Sequence, residues 1–424
     1  AVRVLNRAQK LMDDAEHYKS VIPDKLQAAY FELVYYPAVA SANVAKMQIL
    51  SGLNEYFFEK GSAAANWYAD QLEESVKLDE TLQYTYNNEM PGVGDKWKNM
   101  MSSPHVGYVT WDSKGWSYPK AKRVDSLADQ AQMIVTLQNQ EAAFTEGECA
   151  LDSFTNINKE TYTVTVSNGG SPSFDYTVKA SADWIQVSKA SGTVELQDTF
   201  TISVDWSKVS ADADGTVTVA GTGGTVTIQV KAKVVDVSSL DPHTYVYANG
   251  YASILAGGFV NSGAGEGGIA CGVIDNYGKM GQAVKAFPSN FCFKDDPGKA
   301  PFVEYKVYVA QDDVYNCTVY AAPSNNIDRD DVAIRYGLSV NGGETDVVNM
   351  LNSDFAAGEY SGSWTTDVSG NGRKKSTQIQ LKPGINTIRI YAIDPTFVMQ
   401  KLVISEEEVL ASHLGPEESY YVGK

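Results

Sequence analysis

Apolar positions change their period once along the chain. Near the start, Val4, Leu5, Ala8, Leu11, Met12 and Ala15 fall on one helical stripe. Pro23 and Asp24 open a second helix that Pro37 must interrupt or kink, and a third runs toward Phe57 and stops at Gly61. Ser62 is placed to cap a helix carrying Trp67, Tyr68, Leu72 and Val76, and Asp79 to start another toward Met90. Short connections between such elements predict an antiparallel helical bundle over residues 1–128.

From about residue 130 the period becomes two, as in "YTVTVSNGGSPSFDYTV", "FTISVDW" and "GTVTVAGTGGTVTIQVKAKV". Strands repeating about every ten residues predict a small inserted β-sandwich over 129–240, a self-contained module bounded by polar linkers. Longer strands such as "FVEYKVYVA", "IRYGLSVNGG" and "STQIQLKPGINTIRIYAI" predict a jelly-roll-like β-sandwich over 241–424. Glycine usage agrees: 6 of the 35 glycines precede residue 128, so breakers concentrate where turns are needed. The fold class is therefore multidomain α plus all-β.

One stretch resists both periods. In "KWKNMMSSPHVGYVTW" (96–111), Trp97, Met100 and Met101 fit one face of a short helix and read as core, but Ser102-Ser103-Pro104 ends it. His105, Tyr108 and Trp111 are then carried on an extended or looped segment, as a core plug or the wall of a pocket. Glu89 sits beside this motif. The formal GxGxxG at Gly263, Gly265 and Gly268 lacks the following helix that phosphate binding requires, and reads as a loop.

At 424 residues the chain is long enough for two to four domains. Its net charge of -18 would repel a phosphate backbone, so nucleic acid is not an expected partner. No run of eighteen apolar residues offers a membrane span. The start "AVRVLNRAQK" has neither an initiator Met nor the apolar region of a signal peptide, and reads as a cut piece of something longer. Cys149, Cys271, Cys292 and Cys317 show no CxxC spacing, so neither a metal nor a cofactor is expected. The acid pairs Asp13-Asp14, Glu73-Glu74 and Asp79-Glu80 read as solvated helix faces.

"LVYYPAVASANVAKM", "YNNEMPGVGDKWKNMMSSPHVGYVTW" and "VAIRYGLSVNGG" resemble the C-terminal half of glycoside hydrolase family 115, the α-glucuronidases acting on glucuronoxylan. "NTIRIYAIDPTFVMQKLVI" and "HLGPEES" resemble the family's closing sandwich, and the middle region around Trp184 in "ADWIQVSKASGTV" resembles an inserted β-module or a BACON-type sandwich. The resemblance implies hydrolysis of the α-1,2 bond between 4-O-methyl-glucuronic acid and xylan, by carboxylates of a barrel preceding this chain. No catalytic residue is then expected here. His105, Tyr108, Trp111 and Glu89 would serve substrate binding at the bundle face turned to that barrel: aromatic rings offer apolar faces to sugars, and a His can donate to a uronate. Expected partners are glucuronoxylan or aldouronic oligosaccharides, the absent N-terminal catalytic domain and a second copy in a homodimer, in a secreted or periplasmic bacterial protein.

In the closing sandwich, Leu255 stands where calcium-binding relatives of such modules carry Glu. Arg335 and Asp394 read as an ion pair fixing strand ends, and Trp364 as sandwich core or a xylose platform. Lys208 is a surface cation with a possible role at a partner's pocket. The competing reading is a non-catalytic carbohydrate-binding or cell-surface adhesion protein.

Overall fold

A computed structural model describes residues 1–89, 97–103, 106–107, 117–327, 330–351, 362–409 and 411–424. It divides into two compact units, residues 1–151 with 161–209 and 213–231, and residues 152–160 with 210–212 and 232–424. Helices come first and antiparallel-dominated sheets follow, so the expected fold class holds.

In the first unit, α1 spans Val2–Val21 and presents Ala8 and Ala15 inward, small residues that let it lie close to its neighbours. α2 (Gln27–Tyr30) runs through a π-helical turn, Phe31–Tyr35, into α3 (Tyr36–Glu59). The interruption expected from Pro37 takes this form: Pro37 lies in the first turn of α3, and the widened turn before it closes with a bond from Tyr36 N–H to the Phe31 carbonyl. α3 ends at Gly61, whose φ of 64° lets Gly61 and Ser62 donate back to Phe58 and Phe57.

α4 spans Ala64–Asn88 without a break, which corrects the expected new start at Asp79. That side chain is 2% exposed in mid-helix and accepts a 2.9 Å hydrogen bond from the Tyr118 hydroxyl. A half-buried tyrosine thus satisfies the carboxylate that would otherwise favour a helix end. Ser62 caps α4 from one residue ahead of the N-cap position held by Ala63, its Oγ accepting the Ala64 N–H at 3.3 Å. The free N–H of Ala63 donates to the Asn168 carbonyl at 2.7 Å, and the Ser62 hydroxyl reaches the same oxygen.

Met47, Leu50, Phe57, Ala64, Ala65, Tyr68 and Leu72 form the main bundle core, with the Phe57 and Tyr68 rings stacked at 5.3 Å. A second core gathers Phe31, Tyr35, Tyr36, Val39, Leu82 and Tyr86. Full burial of side chains this size stabilises by about 1.5–3 kcal/mol each.

The first sandwich has one sheet in the order Ala143–Phe144, Met133–Leu137, Thr161–Asn168, Gln197–Val204, Ile185–Val187. Its other sheet runs Gly147–Ala150, Gly224–Lys233, Ala213–Gly221, Phe174–Ala180, Ser191–Val194. Polar linkers alone do not join it to the bundle, contrary to the sequence reading. Leu196 packs against the bundle core and Gln197 donates to the Tyr68 hydroxyl at 2.8 Å.

The second unit carries the closing sandwich. One sheet runs Thr244–Val246, Phe302–Val309, Gly384–Ala392, Arg335–Val340, Asp346–Asn349; the other Ala270–Asp275, Gln282–Phe287, Val398–Ser405, Asp313–Ala321, Arg373–Leu381. Alternate residues of both, including Val303, Tyr305, Val307, Cys317, Val319, Tyr336, Leu338, Ile388, Leu402 and Ile404, meet in one core. Gly263 ends a strand and a short turn, Glu266–Gly268, leads to the strand Ala270–Asp275, so no helix follows the glycine motif.

Candidate functional site

His105, Tyr108 and Trp111 lie outside the described residues, but the positions that anchor their segment are described. Val106 is 3% exposed and belongs to the main bundle core, and its carbonyl accepts the Ser117 N–H at 3.1 Å. Gly107 has φ 71°, and a β-carbon there would fall 2.3 Å from the Ser117 β-carbon, so glycine is required on both counts. One residue beyond Ser117, Tyr118 is tied to Asp79 of α4. Val106, Ser117 and Tyr118, which flank Tyr108 and Trp111 in the sequence, are thus each held to the bundle.

The stretch before it is a turn. The expected helix at Trp97–Met101 fails because Asn99 takes φ 64° and a single turn closes from Met100 N–H to the Trp97 carbonyl. Trp97 still packs against the second core, 6.4 Å from the Tyr86 ring. Met100 and Met101 do not: both are exposed, which corrects their assignment to the core. The Met101 backbone is held from α4, its N–H donating to Asn87 Oδ1 at 2.9 Å and its carbonyl accepting Gln83 Nε2 at 3.1 Å.

Glu89 caps the C-terminal end of α4 through its backbone, with an exposed side chain. A more enclosed set of polar groups, not singled out from sequence, lies between α4 and the π-helical turn. Burial, with the nearby Glu32 carboxylate, pushes the Tyr86 hydroxyl well above its ordinary range; burial with the charges of Asp79 and Glu32 does the same for Tyr36. Burial and the Asp79 bond raise Tyr118 likewise. These phenols stay protonated at neutral pH, and Tyr86 and Tyr118 donate to the Glu32 and Asp79 carboxylates. The advance signal in the sequence was the tyrosine content of two separate stretches, "YYPA" (35–38) and "YTYNNE" (84–89).

Other acids behave as solvated faces. Asp14 pairs with Lys10, and Arg123 bridges Asp70 and Glu73 at 2.8 and 3.0 Å. Lys208 is engaged by Asp183 and Asp205 in its own sandwich. Among the described residues no group of His, Cys, Asp or Glu is arranged to hold a metal ion.

In the closing sandwich Arg335 makes a two-pronged pair with Asp394, Nε to Oδ2 at 2.8 Å and Nη2 to Oδ1 at 3.0 Å, while Arg335 N–H also donates to Asp394. This joins the start of one strand to the end of another, as the sequence suggested. Trp364, on α5 (Gly362–Ser369), packs half-buried against the sandwich core and donates its indole N–H to Asn325 Oδ1 at 3.1 Å.

A family model described as the glycosyl hydrolase family 115 C-terminal domain matches residues 244–418, and one described as a viral BACON domain matches residues 141–233. No curated protein sequence matches the chain. Among solved structures, BtGH115A, a family GH115 4-O-methyl-α-glucuronidase with specificity for decorated arabinogalactans, aligns over 95% of this chain and 33% of its own, at 12% identity and a TM-score of 0.46. The C-terminal CBM6 of a laminarinase from Zobellia galactanivorans aligns over 37% of this chain and 98% of its own, at 14% identity and a TM-score of 0.25. A family 35 carbohydrate-binding module from Clostridium thermocellum covers 36% of this chain and 97% of its own, at 23% identity and a TM-score of 0.25. The chain thus spans 33% of the length of the solved glucuronidase it aligns with.

Proposed function

We propose, for a chain whose residues 244–418 are a family 115 C-terminal domain, that it is the C-terminal accessory part of a bacterial xylan α-1,2-(4-O-methyl)glucuronidase. The family match is the observation that carries this reading, and it makes the chain part of a carbohydrate-active protein. In this proposal the catalytic carboxylates lie in a preceding domain, and the three parts 1–128, 129–240 and 241–424 support it. His105, Tyr108, Trp111 and Glu89 contribute to the rim of the pocket for glucuronoxylan or aldouronic oligosaccharides, outside the cell or in the periplasm. The anchoring of Val106, Ser117 and Tyr118 supports that role for Tyr108 and Trp111, which lie between them in the sequence.

A glycosidase needs an acid and a second carboxylate on either side of one bond. The buried Asp79 already holds the Tyr118 hydroxyl, and Glu89 is an exposed helix end, which supports an accessory role. In the intact parent, His105→Ala and Trp111→Ala are expected to lower kcat/KM about tenfold or more, equivalent to about 1–3 kcal/mol for a lost pocket contact. Unchanged kinetics in both variants would remove these residues from the pocket.

The bundle also exposes apolar side chains in number: Val4, Leu11 and Tyr18 along α1, and Leu33, Val34, Trp67 and Met100 beyond it. Such a surface suits burial against the catalytic domain and a second copy. Light scattering at tens of micromolar is expected to show a dimer of this chain, and a clean monomer would contradict it. The competing reading, a carbohydrate-binding or adhesion protein without an enzyme, predicts a parent reading frame with no catalytic domain ahead of Ala1.

A further inference from the structure

The chain passes from the bundle to the first sandwich through a strap that enters the sandwich at Ala128, which bridges Gly170. Residues 117–124 are neither helix nor strand, and among the described residues no backbone-to-backbone hydrogen bond holds 118–124. Side-chain amides hold the strap instead. Asn54 of α3, 1% exposed, accepts the Lys122 N–H and donates to the Lys122 carbonyl, both at 2.8 Å. Asn66 of α4 does the same for Val124, accepting its N–H at 2.8 Å and donating to its carbonyl at 3.2 Å. A primary amide carries a donor and an acceptor side by side, so each asparagine imitates the facing residue of a β-ladder. The Asn54 amide also donates to the Ala65 carbonyl at 2.8 Å, which ties that rung to both helices.

The side chains of the strap continue the match. Tyr118 reaches Asp79, Lys122 reaches Glu55, and Arg123 reaches Asp70 and Glu73. Tyr118, Ala121 and Val124 pack half-buried against the main bundle core. Between the partners of Tyr118 and Val124, from Asp79 back to Asn66, α4 rises ~20 Å. Between Tyr118 and Val124 themselves an extended chain also reaches ~20 Å. The lengths agree, so the strap lies stretched antiparallel to α4. It is nonetheless lightly held. Its ion pairs join side chains at least 40% exposed, which contribute little each, and a segment with so few backbone bonds opens without its neighbours unfolding.

We infer that residues 118–124 are a displaceable latch, an extended peptide bound in cis on a face of α3 and α4 that takes a segment carrying adjacent Lys and Arg. Asn54 and Asn66 engage the backbone of alternate residues, as an added strand is engaged in peptide recognition. Glu55, Asp70 and Glu73 select the two cations. With the latch down the face is closed; with it lifted, a second segment of the same chemistry fits and an acidic one is repelled.

The test uses the full chain, with Lys122→Glu and Arg123→Glu together lifting the latch by repulsion from Glu55, Asp70 and Glu73. The probe is a fluorescent peptide with the native sequence of residues 117–126, followed by polarisation. It is expected to bind the lifted chain at least tenfold tighter than the wild-type chain, and Asn66→Ala added to the lifted chain is expected to weaken it at least tenfold. Equal binding to both chains, indifference to Asn66→Ala or no binding to the lifted chain would each overturn the inference. Native-state trypsin digestion of Asn66→Ala alone gives a second readout that needs no charge reversal, because cleavage follows the population of the open form. Cutting after Lys120, Lys122 and Arg123 should run at least tenfold faster than in the wild-type chain with the helix melt unchanged; an unaltered rate, or cutting that rises only with the melt, contradicts the latch. Neither readout involves glucuronidase activity, so the accessory role stands or falls separately.

Discussion

Asn168 shows how one side chain can hold a seam that no linear pattern announces. It is fully buried; its Nδ2 donates to the Pro172 and Glu195 carbonyls, its Oδ1 accepts from Gly170 and Gln132, and its backbone carbonyl takes the free N–H at the head of α4. In the sequence it is one more turn asparagine in "SNGG". Asn168→Ala leaves several buried groups unpaired, at about 1–3 kcal/mol each before relaxation, so chemical denaturation should show a loss of about 2 kcal/mol or more. A change below about 0.5 kcal/mol, the size of an ordinary surface substitution, would show that the seam carries no load. Arg335 and Asp394 were legible by contrast, because both stand at strand ends in strongly patterned motifs. Met100 and Met101 were misread, since helical spacing cannot reveal that Asn99 turns the backbone left-handed.

At the scale of elements, period alone separated helices from strands, and the glycines marked the boundary. It failed inside α4, where Asp79 resembles a helix start until a tyrosine 39 residues later is seen to hold it. It was also silent on the π-helical turn, which a proline permits without dictating. The consequence is a set of tyrosines, Tyr36, Tyr68, Tyr86 and Tyr118, whose hydroxyls are raised above their ordinary value of 10.0 chiefly by burial. Folding therefore holds protons that the unfolded chain releases near pH 10. Their contribution is fully present below pH 10 and is lost as pH rises from 10 through the folded-state values. Thermal melts of the bundle should be level with respect to these groups up to about pH 10 and then fall, with tyrosinate absorbance appearing together with loss of helix. Ionisation of all tyrosines near pH 10 with the helix signal intact would contradict this.

For the whole molecule, the fold class was readable because each region keeps one period over a hundred residues or more. The candidate site was not, since its function would lie in what the chain meets rather than in what it contains. In the proposed reading, His105, Tyr108 and Trp111 would carry chemistry only beside a sugar and a catalytic pair supplied elsewhere. The central claim is that this chain assists a glucuronidase without being one. It is tested most directly by measuring release of 4-O-methyl-glucuronic acid from glucuronoxylan and from aldouronic oligosaccharides by this purified chain and by its intact parent in parallel. The account predicts release by the parent and none by the chain; turnover by the chain that Glu89→Gln abolishes, or an inert parent, would contradict it.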